Sequence, residues 1–291
     1  MEKTKKRIGI IGLGLIGGSI AKAIKENTEH EIYGFDIHTT TFCKALLLNA
    51  IDGELTDEII PTCDIVIVAL YPGATIDYIK AHAHLFKSGC IVTDCCGVKE
   101  QICDEIAPIA EANGFVFIGG HPMAGLEHSG FEYSKKALFD NASMILTPPP
   151  TVCIEALLEI KKLFLSLGFT NIQISTAKDH DEIIAFSSQL AHIVSSAYIK
   201  SPAAMEHKGF SAGSYKDLTR VAKLNEHMWT ELFLENKENI AKEIDGIVER
   251  LAAYSNAIKS DDASMLKALL KDGREKKALI DGELFSGLEK T

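Results

Sequence analysis

The 291-residue chain has no apolar run long enough to cross a bilayer. Its most suggestive stretch, Ile8 to Ala21 behind Lys5-Lys6-Arg7, is broken by five glycines and ends at Lys22, whereas a spanning helix needs about 20 predominantly apolar residues. The basic start mimics a secretory signal, but no small-residue cleavage site follows it. Cationic surplus is also absent: 30 Lys and Arg against 40 Asp and Glu leave a formal charge of -10. That balance argues against nucleic acid and anionic membrane surfaces as partners, because phosphate-rich surfaces demand clustered basic residues. Seven cysteines show no Cys-x-x-Cys spacing, so neither a metal site nor a disulfide framework is expected. An odd thiol count without a signal fits a reducing, cytoplasmic setting. There is no internal repeat and no low-complexity tract, and the length suits two domains.

What is present begins with a nucleotide fingerprint. Arg7 to Ile11 is a short β-branched run, Gly12-Leu13-Gly14-Leu15-Ile16-Gly17 is G-x-G-x-x-G, and Ser19 to Glu26 is helix-compatible. Glu31 to Phe35 reads as a second strand that Asp36 closes. In this pattern Gly12 makes the tight turn and Gly14 admits a pyrophosphate to the helix N-terminus, where the backbone of Leu15 and Ile16 follows. Gly17 lets helix and strand pack closely, and Asp36 binds ribose hydroxyls. The Asp36 carboxylate would repel a 2′-phosphate, and Ile37, His38, Thr39 and Thr40 supply no fixed cation. NAD is therefore the expected cofactor, preferred over NADP.

Strand-like and helical segments then alternate. Asp64–Leu70, Cys90–Thr93, Phe115–Ile118, Met144–Thr147 and Asn171–Ser175 read as strands. Thr75–Leu85, Glu100–Asn113 (capped by Gly114) and Glu155–Leu167 read as helices. This predicts an α/β fold, an open, mostly parallel Rossmann-type sheet over residues 1–176. From about Ala177 strands vanish, and Asp179–Tyr198, Ser214–Lys223, Asn225–Tyr254 and Asp262–Leu279 predict an all-helical C-terminal domain over 177–291. Phe233, Ile240, Ile244, Ile247, Leu251, Tyr254 and Ile258 form a heptad-like stripe, equally suited to an intrachain bundle core or to a second subunit.

The candidate base is His121 in Gly119-Gly120-His121-Pro122-Met123-Ala124-Gly125, placed where the strand ending at Ile118 stops and the chain must turn. Alone, a histidine between glycines and a proline is a turn residue. Beside a dinucleotide site it becomes the group that accepts a hydroxyl proton as hydride leaves the same carbon. His121 and His128 lack the i,i+4 spacing of a zinc pair, so no metal is expected. Lys216 and Arg220 stand i,i+4 in Gly213 to Ala222, either as a solvated face or as a cationic grip on an anionic substrate. His192, among apolar neighbours, reads in isolation as a structural histidine.

Taken together these motifs resemble the prephenate dehydrogenase family along essentially the whole chain. The resemblance rests on Gly12-x-Gly14-x-x-Gly17, Asp94 to Lys99, Gly120 to Gly125 with Glu127 to Gly130, Ser188 to His192, Lys216 to Arg220, and Met228-Trp229. It implies NAD-dependent oxidative decarboxylation of prephenate to 4-hydroxyphenylpyruvate in tyrosine biosynthesis, by a homodimer joined through the helical domain. By the same resemblance His121 accepts the ring-hydroxyl proton and Arg220 grips a substrate carboxylate. His192, Lys216 and Gly125 line the substrate pocket. Two positions depart from the family pattern: Gly97 stands where a serine usually orients the histidine, and Gln189 where a histidine is common. Water, a backbone group or Thr93 could replace the serine. The alternatives are an arogenate dehydrogenase and, from another class, an NAD-sensing protein without turnover, which needs neither base nor arginine. No regulatory domain is expected beyond the helical region, nor a fused mutase before Arg7.

Overall fold

The computed structural model describes residues 5–282. It opens β1 (Arg7–Ile11), α1 (Leu15–Asn27), β2 (Glu31–Phe35), α2 (Thr39–Leu47), β3 (Gly53–Glu54), β4 (Ile65–Val68) and α3 (Pro72–His82). It continues β5 (Ile91–Asp94), α4 (Glu100–Asn113), β6 (Val116–Pro122), β7 (Ser143–Thr147), α5 (Ile154–Ser166) and β8 (Asn171–Ile174). The eight strands form one sheet in the order β3-β2-β1-β4-β5-β6-β7-β8. Every pairing is parallel except β6 with β7. This is the expected α/β architecture. α2 and β3, which carry only a weak apolar pattern, are additions to it.

The apolar strands are explained by burial on both faces. Ile8 and Ile10 of β1 and Ile65 and Ile67 of β4 enter one hydrophobic cluster, while Ile11, Val66 and Val68 enter the other. Alternate side chains point to opposite sides of a pleated sheet, so a strand covered twice has no polar face to show. Gly114 ends α4 in the left-handed region at φ 75°, the helix stop expected there.

One boundary differs in a way that matters. The strand expected to stop at Ile118 runs on through His121 to Pro122, because β7 pairs with it antiparallel, His121 opposite Ile145 and Pro122 opposite Met144. Proline is tolerated there because its nitrogen faces the β5 side, where the pairing has already ended and no ladder N–H is needed. β5, on the other side, pairs only as far as Ile118 opposite Thr93. His121 therefore projects from a rigid strand beyond the end of its neighbour, not from a turn.

After β8 all elements are helical: α6 (Ala177–Ile184), a π-helical turn (Ala185–Leu190), α7 (Ala191–Tyr198), α8 (Gly213–Thr219), α9 (Glu226–Glu235), α10 (Lys237–Lys259) and α11 (Ala263–Ile280). Two expected long helices are interrupted. The first contains the π turn, in which buried Gln189 donates to Leu232 O at 3.1 Å and accepts from Asn236 Nδ2 at 2.8 Å. The second breaks at Asn236 (φ -116°, ψ 29°), whose amide also donates to Asp181 O at 2.8 Å. Both interruptions trade helical regularity for buried hydrogen bonds. The chain forms two compact units, Met1–Asn239 and Ile240–Thr291. In the second, Tyr254 Oη donates to Leu269 O, fastening α10 to α11.

Candidate active site

The nucleotide cradle follows from the glycines. Gly12 adopts φ 83°, and a Cβ there would stand 2.5 Å from Ala69 O. A Cβ on Gly17 would stand 1.9 Å from Gly12 O, so the turn closes only without side chains. Gly14, the residue before α1, faces open space. Unpaired N–H groups at a helix start, with no Cβ in front of them, fit a pyrophosphate. Asp36 Oδ2 accepts Leu13 N–H and Oδ1 accepts His38 N–H, both at 2.9 Å. The carboxylate is thereby oriented, and each oxygen keeps a lone pair for a ribose hydroxyl.

The turn from β5 into α4 forms the floor under His121. Asp94 and Lys99 are fully buried and ion-paired. Asp94 also accepts Cys96 N–H at 2.8 Å and Gly120 N–H at 3.0 Å, which ties the turn to the residue before His121. Burial opposes the Lys99 ammonium, but the Asp94 carboxylate together with Cys96 and Cys103 outweighs it and holds the pKa above the ordinary lysine value. The Cys96 thiol is pushed well above its usual pKa by burial first and then by Asp94, so it stays protonated.

His121 itself lies well below the ordinary histidine pKa, through burial first, then the electrostatic effect of the neighbouring His180 ring, then the charge of Lys99. It is thus a neutral imidazole, the form a base requires. A Cβ on Gly97 would lie 3.9 Å from His121 Nε2 and 3.4 Å from Leu232 Cδ2. The space of the family serine therefore faces Nε2. Thr93 does not take its place, since its hydroxyl donates to Asp94 O at 3.4 Å.

The group that does meet His121 is one the sequence reading passed over. His180 Nε2 stands 2.8 Å from His121 Nδ1, and His180 Nδ1 stands 2.6 Å from Asp181 Oδ1. Asp181 in turn accepts the N–H groups of Lys99 and Glu100 at 2.8 Å each, at the N-terminus of α4. The signal in the sequence was an adjacent His-Asp pair near the start of a helix, which reads as ordinary polar residues until tertiary packing buries it.

His192 is half-buried, with its ring 4.1 Å from that of Trp229 and its Nδ1 2.8 Å from Ser188 O. Burial lowers its pKa, the Ser188 carbonyl raises it and the Arg220 charge lowers it, so Arg220 lies close enough to act on it. His192, Trp229 and Arg220 thus lie near one another. α9 joins it to the base: Trp229 covers His192, and Leu232, one turn on, reaches the space beside Gly97 and His121 Nε2. Lys216 and Arg220 are both exposed, and α8 ends at Thr219, so Arg220 sits just past its helix. Gly125 lies in a separate cleft of about 440 Å³ with Met123, Leu126, Lys135 and Asn141.

Comparison with known proteins agrees with this geometry. The family pattern for the prephenate dehydrogenase nucleotide-binding domain matches residues 20–172, and that for the prephenate dehydrogenase dimerization domain matches residues 176–272. Prephenate dehydrogenase of Bacillus subtilis (strain 168) is 30% identical over 284 residues, covering 94% of this chain and 76% of that protein. The structure of prephenate dehydrogenase from Aquifex aeolicus in complex with hydroxyphenyl propionate and NAD+ superposes with a TM-score of 0.84 at 29% identity, covering 96% of this chain and all of that one. The structure of Synechocystis arogenate dehydrogenase gives 0.80 at 25% identity, covering 94% and 99%. With a nucleotide cradle at the end of β1, a half-buried neutral histidine at the end of β6 and these matches along its length, the chain belongs to the prephenate dehydrogenase family.

Proposed function

We propose that the protein catalyses NAD-dependent oxidative decarboxylation of prephenate to 4-hydroxyphenylpyruvate, with His121 as the base. The observation that carries this reading is His121 itself: half-buried, neutral, and held at the end of β6 where ligands of open α/β sheets bind. NAD, when bound, supplies the hydride acceptor. Gly12, Gly14, Leu15, Ile16, Gly17 and Asp36 hold it. His121 takes the proton of the ring hydroxyl, and Arg220 grips a substrate carboxylate with His192 and Lys216 beside it. Loss of carbon dioxide restores an aromatic ring, so positioning and one base suffice from the protein.

NADH formation with prephenate, followed by its absorbance, tests the reading; no turnover with prephenate overturns it. The second reading is arogenate as substrate, favoured by the fold shared with the Synechocystis enzyme. A strong preference for arogenate in the same assay would establish it.

Residues 1–176 serve as the nucleotide domain and 177–291 as the helical substrate and dimerisation domain. Val248, Leu251 and Ile258 on α10 are each more than half exposed, an apolar surface that a second copy of the chain would cover. Light scattering on the purified protein should give a dimer mass. All seven cysteines are free, consistent with a cytoplasmic location.

A further inference from the structure

Two buried side chains that the proposed chemistry does not itself call for, His180 and Asp181, are built around His121. We infer that they are positioning residues that hold His121 in its Nδ1–H tautomer, leaving Nε2 as the nitrogen that accepts the substrate proton. The inference rests on the role of His121 as the base.

The direction of the bonds carries the argument. Asp181 receives the backbone N–H of Lys99 on one oxygen and that of Glu100 on the other. It is an acceptor set, so His180 Nδ1, 2.6 Å from Oδ1, carries the hydrogen of that contact. A neutral imidazole protonated at Nδ1 has its lone pair at Nε2. That lone pair meets His121 Nδ1 at 2.8 Å, and the hydrogen between them belongs to His121. His121 Nε2 is left bare, facing the space beside Gly97.

The opposite arrangement needs an imidazolium at His180, which would donate to His121 Nδ1 and place the proton on His121 Nε2, closing it to substrate. That form places a cation on a His180 side chain that lies wholly out of solvent. Lys99, just before α4, acts on His121 and is ion-paired with Asp94 at the end of β5, Asp181 on α6 meets His180, and Glu235 at the end of α9 is near enough to Asp181 and Lys99 to feel their charge. The Glu235 carboxyl is pushed up to about 7 by burial first and then by Glu231 and Asp181.

The proton balance is simple. The substrate O–H proton moves to His121 Nε2, and the resulting cation is bonded through His180 to the Asp181 carboxylate. A serine at position 97 would touch Nε2, whereas His180 holds Nδ1. The two devices act on different nitrogens, so the missing serine does not leave the ring unanchored.

Ring nitrogens of the apo protein, read by long-range proton–nitrogen NMR with His121 assigned through His121→Asn, test the tautomer directly. The expected spectrum shows His121 protonated at Nδ1 and bare at Nε2; a proton on Nε2 in the wild type overturns the inference. In the NAD-saturated enzyme, His180→Met should lower kcat by about 100-fold while KM for prephenate changes by less than about threefold. His180→Gln, whose amide can donate to Asp181 and accept from His121, should recover part of kcat. An unchanged kcat in His180→Met also overturns the inference. If His180→Met does not fold, the wild-type tautomer decides alone. Wild-type enzyme that forms no NADH from prephenate would defeat the functional reading, and the apo tautomer would still judge the bonds.

Discussion

Asp94 accepts the backbone N–H of Gly120 at 3.0 Å while its other oxygen is ion-paired with buried Lys99. The carboxylate at the end of β5 thereby pins the residue immediately before His121. A buried pair of this kind is most sensitive to loss of one member, because the survivor is an uncompensated charge.

Lys99→Met should accordingly destabilise the protein by about 3–5 kcal/mol. Urea unfolding measures it. Adding Asp94→Asn should recover part of the loss by removing the orphaned charge. A Lys99→Met protein as stable as the wild type would show that the pair contributes nothing to the fold.

His121→Asn should keep NAD binding, measured by fluorescence titration, and lose on the order of 100- to 10,000-fold in kcat. KM for prephenate should change little, since the ring acts on the proton and not on the carboxylates. Unaltered kcat would remove His121 from the mechanism.

Arg220→Ala should act the other way round. Loss of a charged hydrogen-bonding partner for a carboxylate, about 1.5–3 kcal/mol, corresponds to KM for prephenate rising by roughly 10- to 150-fold, with a smaller effect on kcat. Arg220→Lys should recover only part, because an ammonium lacks the planar fork. Steady-state kinetics with an unaltered KM would refute the binding role.

The pH dependence follows from His121 lying well below 6.5. As pH falls through about 6.5 the unfolded chain takes up this proton first, so the stability contribution is present above that pH and is lost towards the folded pKa. Urea unfolding at descending pH should show a decline that is smaller in His121→Asn. Glu235 has the opposite sign: with its pKa raised to about 7, its contribution falls as pH rises from 4.5 to 7. The acid limb of kcat/KM assigned to His121 should lie below pH 6.5; a limb at or above 6.5 that disappears with this residue would contradict its burial.

Gly120→Ala and Gly97→Ser should separate steric from functional glycines. A Cβ on Gly120 would meet Asp94 O at 2.5 Å, and overpacking of this kind costs about 1–3 kcal/mol. On Gly97 the nearest atom is Leu232 Cδ2 at 3.4 Å, an ordinary contact, so Gly97→Ser should fold with a Tm close to the wild type. Thermal unfolding of both variants distinguishes them.

The parallel sheet and the glycine turn after β1 were legible in the sequence, because each is written locally. Glycine spacing makes the turn, β-branched runs make strands buried on both faces, and Gly114 stops a helix through its own backbone. The exact reach of β6 was not legible, since its last residues are held by β7, more than twenty positions later. The π turn and the break at Asn236 were hidden for the same reason, as Gln189 and Asn236 satisfy each other across the fold.

What the sequence determined by itself is the fold class and the dinucleotide-binding pattern, together with the candidates proposed for base and cationic grip, each carried by residues close together in the chain. Only the tertiary structure decided how His121 is held. His180 and His121 are 59 positions apart, and Asp181 caps a helix that begins 81 residues earlier. Hydrogen-bond direction between buried groups depends on which donors surround them, and those donors come together only when α4, α6 and β6 pack.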